Sequence, residues 1–537
     1  MRRWAASSVK VGQDRGKYKK DLILSILKST TTKREAREYL MKYGTELLLS
    51  GMDSPSQGRS ILWNKKALPG QLIDSEVFRS ETKMTSPKQL ALIRLPTNLS
   101  NASYKSMIDS FDALRLLGIS IVFLLDDSNE CNNRGERDVS YLRSRALDIT
   151  KAFSSHSARA LHVTPLMSAF IKRNGEVTVS DTNHITFPLI QGSIPLVIPT
   201  AYNTNLGKYE RIDGQVALLT TIIGLDMSKL ADVQKIVFID SLGGIPSIER
   251  GRTSHVFINN SQEYSDIVSE LHIGFIEPEV RERHLINLSN MRELLLACSS
   301  FSETTGIILR PEDMFQKLNE LSPVAYNVLT DRPIVSSSLP LSRSRTPQVT
   351  TSIIKNGFDV RVLFANDNKA KFESLCEDKS ISREQFISMI NDSFGRTLKL
   401  EYLNRLNSCL DCIIIIGDYD GGAVITREWL STGQTVPYLD KFAIPKRNQG
   451  LPSLADVIFK AMLQAYQDEI IWRSRSLNPV NRWYFERSNG SYSYPSSPWR
   501  LFFAGESFNN KISREFSLKI SSYWDLIKSI PASFTDA

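Results

Sequence analysis

Hydrophobic positions recur along this chain in two rhythms, every third or fourth residue or in short unbroken runs, and these separate helices from strands. Residues 21–50 carry apolar side chains at three- and four-residue spacing, which predicts helix, with Thr31 or Thr32 able to cap its second half. Residues 50–62 are rich in Ser and Gly and predict loop. An α/β rhythm follows. Leu90–Leu95 (LALIRL) reads as a short strand, Ser106–Leu117 as an amphipathic helix stopping at Gly118, and Ile119–Leu125 (ISIVFLL) as a buried strand. Val139–Phe153 predicts helix, Phe187–Ile198 strand-like pieces broken by Gly192 and Pro195, and Asp213–Gly224 helix. Ile236–Ile239 is a strand running into Leu242-Gly243-Gly244-Ile245-Pro246, and Asn287–Ser300 is helical. Strands alternating with helices of this kind predict a mainly parallel sheet covered on both faces.

Residues 336–352 (SSSLPLSRSRTPQVTTS) are nearly all Ser, Thr, Pro and Arg, and mark the clearest domain boundary. From 353 onward the rhythm changes. Ile381–Phe394 is an amphipathic helix. Cys412–Gly417 is a strand, Asp418–Gly422 (DYDGG) a turn, and Ala423–Trp429 the returning strand. Pro437–Ile444 is a third strand, followed by the loop PKRNQGLPS and a helix over Leu454–Tyr466. Glu469–Arg475 (strand), Pro479–Arg487 (helix) and Trp499–Phe503 (strand) complete an α+β module.

The chain has 537 residues, enough for at least two domains, and its 41% hydrophobic and 23% charged residues suit a folded protein with real cores. No stretch approaches the length of apolar residues that a transmembrane helix needs, so no membrane association is expected. Five cysteines cannot make a disulfide scaffold in a chain of this length. The 66 basic against 58 acidic residues give a net charge of +8, which leans toward an anionic partner but is too mild to imply nucleic acid. All six histidines lie at or before His284. Chemistry in the C-terminal module must therefore proceed without imidazole, which excludes a Ser-His-Asp or Cys-His mechanism and a His-ligated metal there. The first twenty residues hold seven basic side chains and a single acid, Asp14. That pattern fits a mitochondrial presequence and equally a solvated basic tail.

Candidate chemistry concentrates in the C-terminal module. Cys409-Leu-Asp-Cys412 lacks a second ligand pair and reads as two structural thiols. Leu242-Gly243-Gly244-Ile245 could turn amides toward a phosphate, but reads better as a structural turn. The strand end Arg94-Leu95-Pro96-Thr97 has neither a glycine pair nor a nearby lysine for a phosphate-cradling turn. The loop Arg447–Ser453 leads into a helix N-terminus, where unpaired amides and the helix dipole favour anions. Trp472–Arg500 holds five arginines against one acid, Glu486, interleaved with aromatics. Such a segment suits single-stranded nucleic acid or a small dianion held by bidentate guanidinium contacts. Arg473 and Arg475 are two apart on a strand and share a face.

The strings YLDKFA (438–443), RNQG (447–450), WRSR (472–475), NPxN (478–481), WYF (483–485) and WRLFFAG (499–505) resemble the acetyltransferase domain of N-acetylglutamate synthases. TKREAREYL (32–40), GGIPS (243–247), HVFIN (255–259), YNVLTDRP (326–333) and SSSLP (336–340) resemble that family's fungal mitochondrial branch, so the likeness covers nearly the whole chain. The resemblance implies a presequence (1–20) and an α/β amino-acid-kinase-like regulatory domain with a mainly parallel sheet (21–335). It implies a linker (336–352), an α+β GNAT-type N-acetyltransferase domain (353–510) and a C-terminal helical tail (511–537). It implies acetyl transfer from acetyl-CoA, a co-substrate rather than a resident cofactor, to the α-amino group of L-glutamate in the mitochondrial matrix. That is the first step of arginine synthesis. L-arginine would be the feedback inhibitor, and homo-oligomers and a complex with acetylglutamate kinase are further implications.

Carried over by position, Lys441, Arg396, Arg473, Arg475 and Asn478 would contact glutamate, and Tyr484 would protonate the departing thiolate. Leu439, Phe442, Ile444, Arg447, Gly450 and Ser453 would contact acetyl-CoA. Pro452 departs from the family's phosphate loop, where a glycine or alanine is usual, and removes one amide donor. Arg396 stands where other members have lysine. No metal is required. The residues support this chemistry independently: fixed cations suit two carboxylates, backbone N–H groups near Leu439–Ile444 suit an oxyanion, and a tyrosine can replace the missing histidine as acid. Two other readings compete, an active amino-acid kinase and a non-catalytic arginine-sensing partner of acetylglutamate kinase. The absent phosphate turn opposes the first, and the intact WRSR and Tyr484 oppose the second.

Overall fold

In the computed structural model the described residues span 88–535. Residues 128–138, 156–159, 229–230, 252, 300–303, 315–325, 329–332, 334–348, 366–371, 452, 496 and 509–513 are excluded. The expected presequence, the helix over 21–50 and the loop after it lie outside the described residues, as does most of the linker.

Two sheets organise the chain. The first runs through β1 (Lys88–Pro96), β2 (Ser120–Asp126), β3 (Val163–Leu166), β6 (Ile194–Val197), β9 (Ala231–Ile239), β10 (Phe257–Asn259), β11 (Thr305–Leu309) and β12 (Ser352–Lys355). Its spatial order is β10-β12-β11-β9-β1-β2-β6-β3, and every neighbouring pair is parallel except β11 with β12. Parallel strands buried on both faces read as continuous apolar runs, and LALIRL and SIVFLL are such runs. Helices α1 (Asn101–Ser106), α2 (Ile108–Leu116), α3 (Val139–Ser154), α4 (Asn183–Ile190), α5 (Gly214–Ser228), α6 (Asn260–His272) and α7 (Pro278–Cys298) accompany this sheet. One core packs Phe111, Phe123 and Phe153 on one face, and a second packs Leu92, Phe238 and Leu294 on the other. A small four-stranded sheet of β4 (Phe170–Arg173), β5 (Glu176–Val179), β7 (Thr200–Asn203) and β8 (Lys208–Arg211) was not anticipated. Its strands are only four residues long and half exposed, too short for a clear period.

The second sheet is mainly antiparallel: β13 (Val360–Phe364), β14 (Leu410–Ile416), β15 (Gly421–Trp429), β16 (Thr435–Ala443), β17 (Ile470–Arg475), β19 (Trp499–Ala504) and β18 (Gly490–Tyr492) lie in that spatial order. Its helices are α8 (Phe372–Glu377), α9 (Arg383–Phe394), α10 (Leu400–Cys409), α11 (Leu454–Ala465), α12 (Asn481–Arg487) and α13 (Arg514–Ser529). The α/β unit followed by an α+β unit is thus present as expected.

Several local expectations are corrected. Phe187–Ile190 is the end of α4 and not a strand piece; Pro188 sits in its second turn, and only Ile194–Val197 pairs. The helix expected over Ser106–Leu117 is present as Ile108–Leu116, and a separate short helix, Asn101–Ser106, precedes it. The helix expected from Asn287 starts at Pro278, where proline suits the first turn. Residues 530–535 are not helical, and Phe534 forms an isolated antiparallel bridge with Leu398. The strand Ser352–Lys355, placed by the sequence at the junction of linker and second module, pairs within the first sheet. The two units share packing: Phe257 and Ile353 join the core that holds Ile414 and Trp472, and Lys460 pairs with Glu263.

The C-terminal ends of β1, β2 and β9 are closed by charge. Arg94 is buried, lies 3.4 Å from Asp126 and 3.6 Å from Asp240, donates to Asn287 at 2.5 Å and stacks on Phe238. Burial alone would raise the Asp240 carboxyl; Asn287, the Leu242 amide, Arg283 and Arg94 outweigh it and hold it below the usual range. The glycine turn that follows is structural. Gly243 N donates to Asp240 O, Gly244 N to Thr350 O and Ile245 N to the Ser352 hydroxyl, so these amides are already used. A Cβ at Gly244 would lie 2.6 Å from Ser352 N, which explains the glycine by close approach rather than by a ligand.

Candidate active site

The site grows from an irregular β16. Its ladder with β15 pairs Lys441 with Val424 but Leu439 with Ile425, so Asp440 is an extra residue in a β-bulge. On a regular strand Asp440 and Lys441 would face opposite sides of the sheet. Here their head groups meet: Lys441 Nζ donates to Asp440 Oδ2 at 2.7 Å. On its other edge β16 pairs with β17 only at Tyr438↔Ile471. Beyond that pair the two parallel strands diverge, and the sheet opens between Leu439–Ala443 and Trp472–Arg475.

Lys441 is 6% exposed. Its ammonium also donates to Asp440 O at 3.2 Å and to Ser533 Oγ at 2.9 Å, and it lies over the Tyr402 ring at 4.5 Å. Asp440 in turn accepts from the Tyr402 hydroxyl at 2.6 Å and from Arg405 at 3.5 Å. Burial would push the Asp440 carboxyl up; Lys441, Arg405 and Tyr402 together hold it below the usual range. Burial draws the Lys441 ammonium below the usual lysine value, and Asp440 offsets only part of that. Asp440, Arg405 and Tyr402 were not singled out from the sequence. The Asp440-Lys441 adjacency was visible in YLDKFA, but alternation along a strand would have separated the two side chains, and nothing in the sequence announces the bulge.

Arg473 and Arg475 share a face of β17, as their spacing predicts: both guanidiniums lie over the Trp499 ring, at 4.3 and 5.7 Å. Arg473 also donates to the carbonyls of Ile527 and Pro531, whereas Arg475 is exposed. Asn478 donates to Ser474 Oγ at 3.0 Å and accepts from Val480 N at 3.1 Å, so it shapes the turn into α12. Arg396 is exposed in the loop after α9, next to Thr397, which the C-terminal residues bridge. The structure therefore brings Lys441 and Arg473 to residues 527–533, while Arg396 is tied to this region only through the backbone of the loop that carries it.

Tyr484 sits on α12, 8% exposed, among Trp472, Trp483 and Phe502 with ring centroids at 5.4, 5.6 and 5.4 Å. No hydrogen bond to its hydroxyl occurs among the described residues. Burial pushes the phenol well above the usual tyrosine value, so it stays protonated. Phe442, on the diverging part of β16, packs on Trp483 at 5.7 Å, which ties the opened strand to the helix bearing Tyr484. Leu439 is buried in the same core, and Ile444 packs at its edge.

The loop after β16 folds on itself. Asn448 N and Gln449 N both donate to Pro445 O, and the exposed Arg447 lies 3.8 Å from Asp420. Gly450 has φ of +104° and Ser453 of +68°, so the chain turns sharply before α11. Ser453 gives α11 no side-chain cap, and the dipole at such a helix N-terminus favours an anion. Pro452 lies outside the described residues. Cys409 and Cys412 lie on either side of the α10–β14 junction, and burial pushes both thiols up to about 12, which makes them unreactive.

Residues 370–520 match the family described as NAT, N-acetyltransferase, of N-acetylglutamate synthase. The mitochondrial amino-acid acetyltransferase of Candida dubliniensis is 42% identical over 525 residues, covering 92% of this chain and 90% of that protein. The mitochondrial amino-acid acetyltransferase of Debaryomyces hansenii is 41% identical over 568 residues and covers 99% of each chain. A more remote likeness is to N-acetylglutamate synthase from Neisseria gonorrhoeae complexed with coenzyme A and N-acetyl-glutamate, at 12% identity and a TM-score of 0.44. That likeness covers 81% of this chain and 99% of that one. Bulged and diverging strands, a helix N-terminus without a side-chain cap and a buried tyrosine are thus found on a chain that aligns over nearly its full length with enzymes of one kind, and the protein belongs to the family of mitochondrial amino-acid acetyltransferases.

Proposed function

We propose that the chain transfers acetyl from acetyl-CoA to the α-amino group of L-glutamate in the mitochondrial matrix, opening arginine synthesis. The observation that supports this best is the pair Arg473 and Arg475 on one face of β17, beside the opened edge of β16 and next to Lys441. Fixed cations at that spacing suit an acceptor with two carboxylates, since charge-assisted contacts are the strong ones. The acetyl-CoA phosphates belong on Arg447–Ser453 and the N-terminus of α11, and its acyl arm runs along Leu439, Phe442 and Ile444. The glutamate amine attacks the thioester carbonyl, backbone N–H groups on the open edge of β16 take the oxyanion, and Tyr484 gives its proton to the leaving thiolate. Water accepts the amine's proton. The purified chain with acetyl-CoA and glutamate should release free thiol, while ATP with acetylglutamate should yield no ADP. The opposite pattern would sink the reading.

Arg475 gives a clean test of the acceptor, because it is exposed and its removal leaves no buried charge. Arg475→Ala should raise KM for glutamate roughly 10- to 150-fold, the worth of one charge-assisted contact, with KM for acetyl-CoA unchanged. Equal effects on both substrates would remove Arg475 from the acceptor site.

The proposal extends to feedback inhibition by L-arginine at the N-terminal unit, to homo-oligomers and to a complex with acetylglutamate kinase. A cavity of about 400 Å³ in that unit is lined by Leu242, Phe275, His284, Arg310 and Thr350. His284 is buried, burial lowers its pKa to about 4, and its Nδ1 has no partner among the described residues, so a neutral imidazole faces the cavity lining. A fragment should begin after Lys355, since one begun near 345 would carry β12 without its sheet. It should keep some acetyl transfer and lose arginine inhibition; retained inhibition would place the arginine site elsewhere.

A further inference from the structure

We infer that Pro531–Thr535 form a strap closed over the acceptor site, and that the acceptor enters by displacing it. This rests on the proposal that the cations of β16 and β17 hold the acceptor's carboxylates. Beyond α13 the strap crosses to the loop that carries Arg396. Lys399 N donates to Ser533 O at 3.0 Å and Thr535 N to Thr397 O at 3.0 Å, flanking the antiparallel bridge Leu398↔Phe534. From there the strap occupies Lys441. Ser533 Oγ accepts from Lys441, whose other hydrogen bonds go to the carboxylate and carbonyl of Asp440. An ammonium has three protons, so none remains for a substrate while the strap is closed. Arg473 is held mainly by the carbonyl of Ile527 in α13, and the strap adds the Pro531 carbonyl at 3.5 Å.

Neutral oxygens thus stand where the oxygens of an anion would gain most. A carboxylate adds the attraction of opposite full charges to its contact with a cation, which a neutral oxygen does not. The acceptor therefore outcompetes a hydroxyl and peptide carbonyls for the same donors. Past Ile530, which is buried in the core under α13, the strap is lightly held. Pro531, Ala532 and Thr535 are exposed, and Phe534 is only half buried, against Phe394 at 4.9 Å. A segment with few buried contacts and one short bridge opens at low cost.

The test locks the strap shut in the full-length chain. Leu398 and Phe534 form the non-hydrogen-bonded pair of the bridge, where Cα atoms stand about 4.5 Å apart, within disulfide range. The double variant Leu398→Cys, Phe534→Cys should lose at least about tenfold in kcat/KM for glutamate when oxidised, the bond being verified by mass. Reduction should restore the rate, and wild type should ignore the same treatment. An oxidised form as active as the reduced one overturns the strap. Ser533→Ala, which only loosens it, should lower KM for glutamate roughly tenfold or more, the worth of one hydrogen bond to a charged group. Its kcat and KM for acetyl-CoA should hold, and an unchanged or raised KM for glutamate overturns the strap as well. Arg475→Ala, which the strap does not touch, separates the two ideas. If that variant leaves KM for glutamate unchanged, the acceptor site and the strap both fall. If it raises KM while the lock is silent, the strap alone falls.

Discussion

Tyr484→Phe should lower kcat by about 10²–10⁴-fold, the usual contribution of a positioned general acid, with KM for both substrates changed only a few-fold. The substitution removes one hydroxyl and keeps the ring that packs on Trp472, Trp483 and Phe502, so the cluster should survive. The hydroxyl has no protein partner among the described residues, so its loss strands no buried donor. Burial, the one cause acting on this phenol, raises its pKa and keeps it protonated beyond the ordinary tyrosine value of about 10. The wild-type rate should therefore show no alkaline loss attributable to Tyr484 in the working range. A Phe variant with near wild-type kcat and unchanged thermal stability would reduce Tyr484 to a core aromatic, with water as the acid.

The largest effect on stability should come from Asp440. Asp440→Ala should destabilise the chain by about 3–5 kcal/mol, because removing one member of a buried ion cluster leaves the others uncompensated. Lys441 would lose its carboxylate and keep only neutral partners, the carbonyl of residue 440 and Ser533 Oγ, and Arg405 would keep Glu428 among the described residues. The sign of the pH dependence follows from the carboxyl's lowered pKa. A depressed carboxyl contributes fully above its unfolded value, about 3.9, and loses that contribution as pH falls through the folded value. Denaturation of wild type and of Asp440→Asn, compared from neutral to acid pH, should show a gap that is constant near pH 7. The gap should close below about pH 4. A gap independent of pH would mean that the charge on Asp440 contributes nothing, and that packing or hydrogen bonding accounts for the difference.

Much of this was legible in the residues because it depends on short-range rules. Runs such as LALIRL and CIIIIG are strands in any context that buries both faces, and the helix over residues 454–465 shows its apolar period. Arg473 and Arg475 share a face because a strand alternates, and that needs no partner to be true. The WRSR, WYF and YLDKFA strings pointed to the family, and relatives about 40% identical over most of the chain belong to it. The absence of histidine after His284 restricts the acid by composition alone.

What the sequence could not carry was every feature made by elements far apart along it. The bulge at Asp440 arises from register against β15, and it alone brings Asp440 and Lys441 to one side, so the buried Tyr402–Asp440–Lys441 cluster was invisible. The first sheet takes Ser352–Lys355 as a strand, although the residues before it look like a linker, because four residues become a strand only when neighbours offer their ladder. The helical tail ends at Ser529, and Ser533 reaches Lys441 across 92 residues. Local propensity decides which segments are helix or strand. Which charges are buried together, and what covers them, is decided by tertiary pairing, whose geometry no residue specifies by itself.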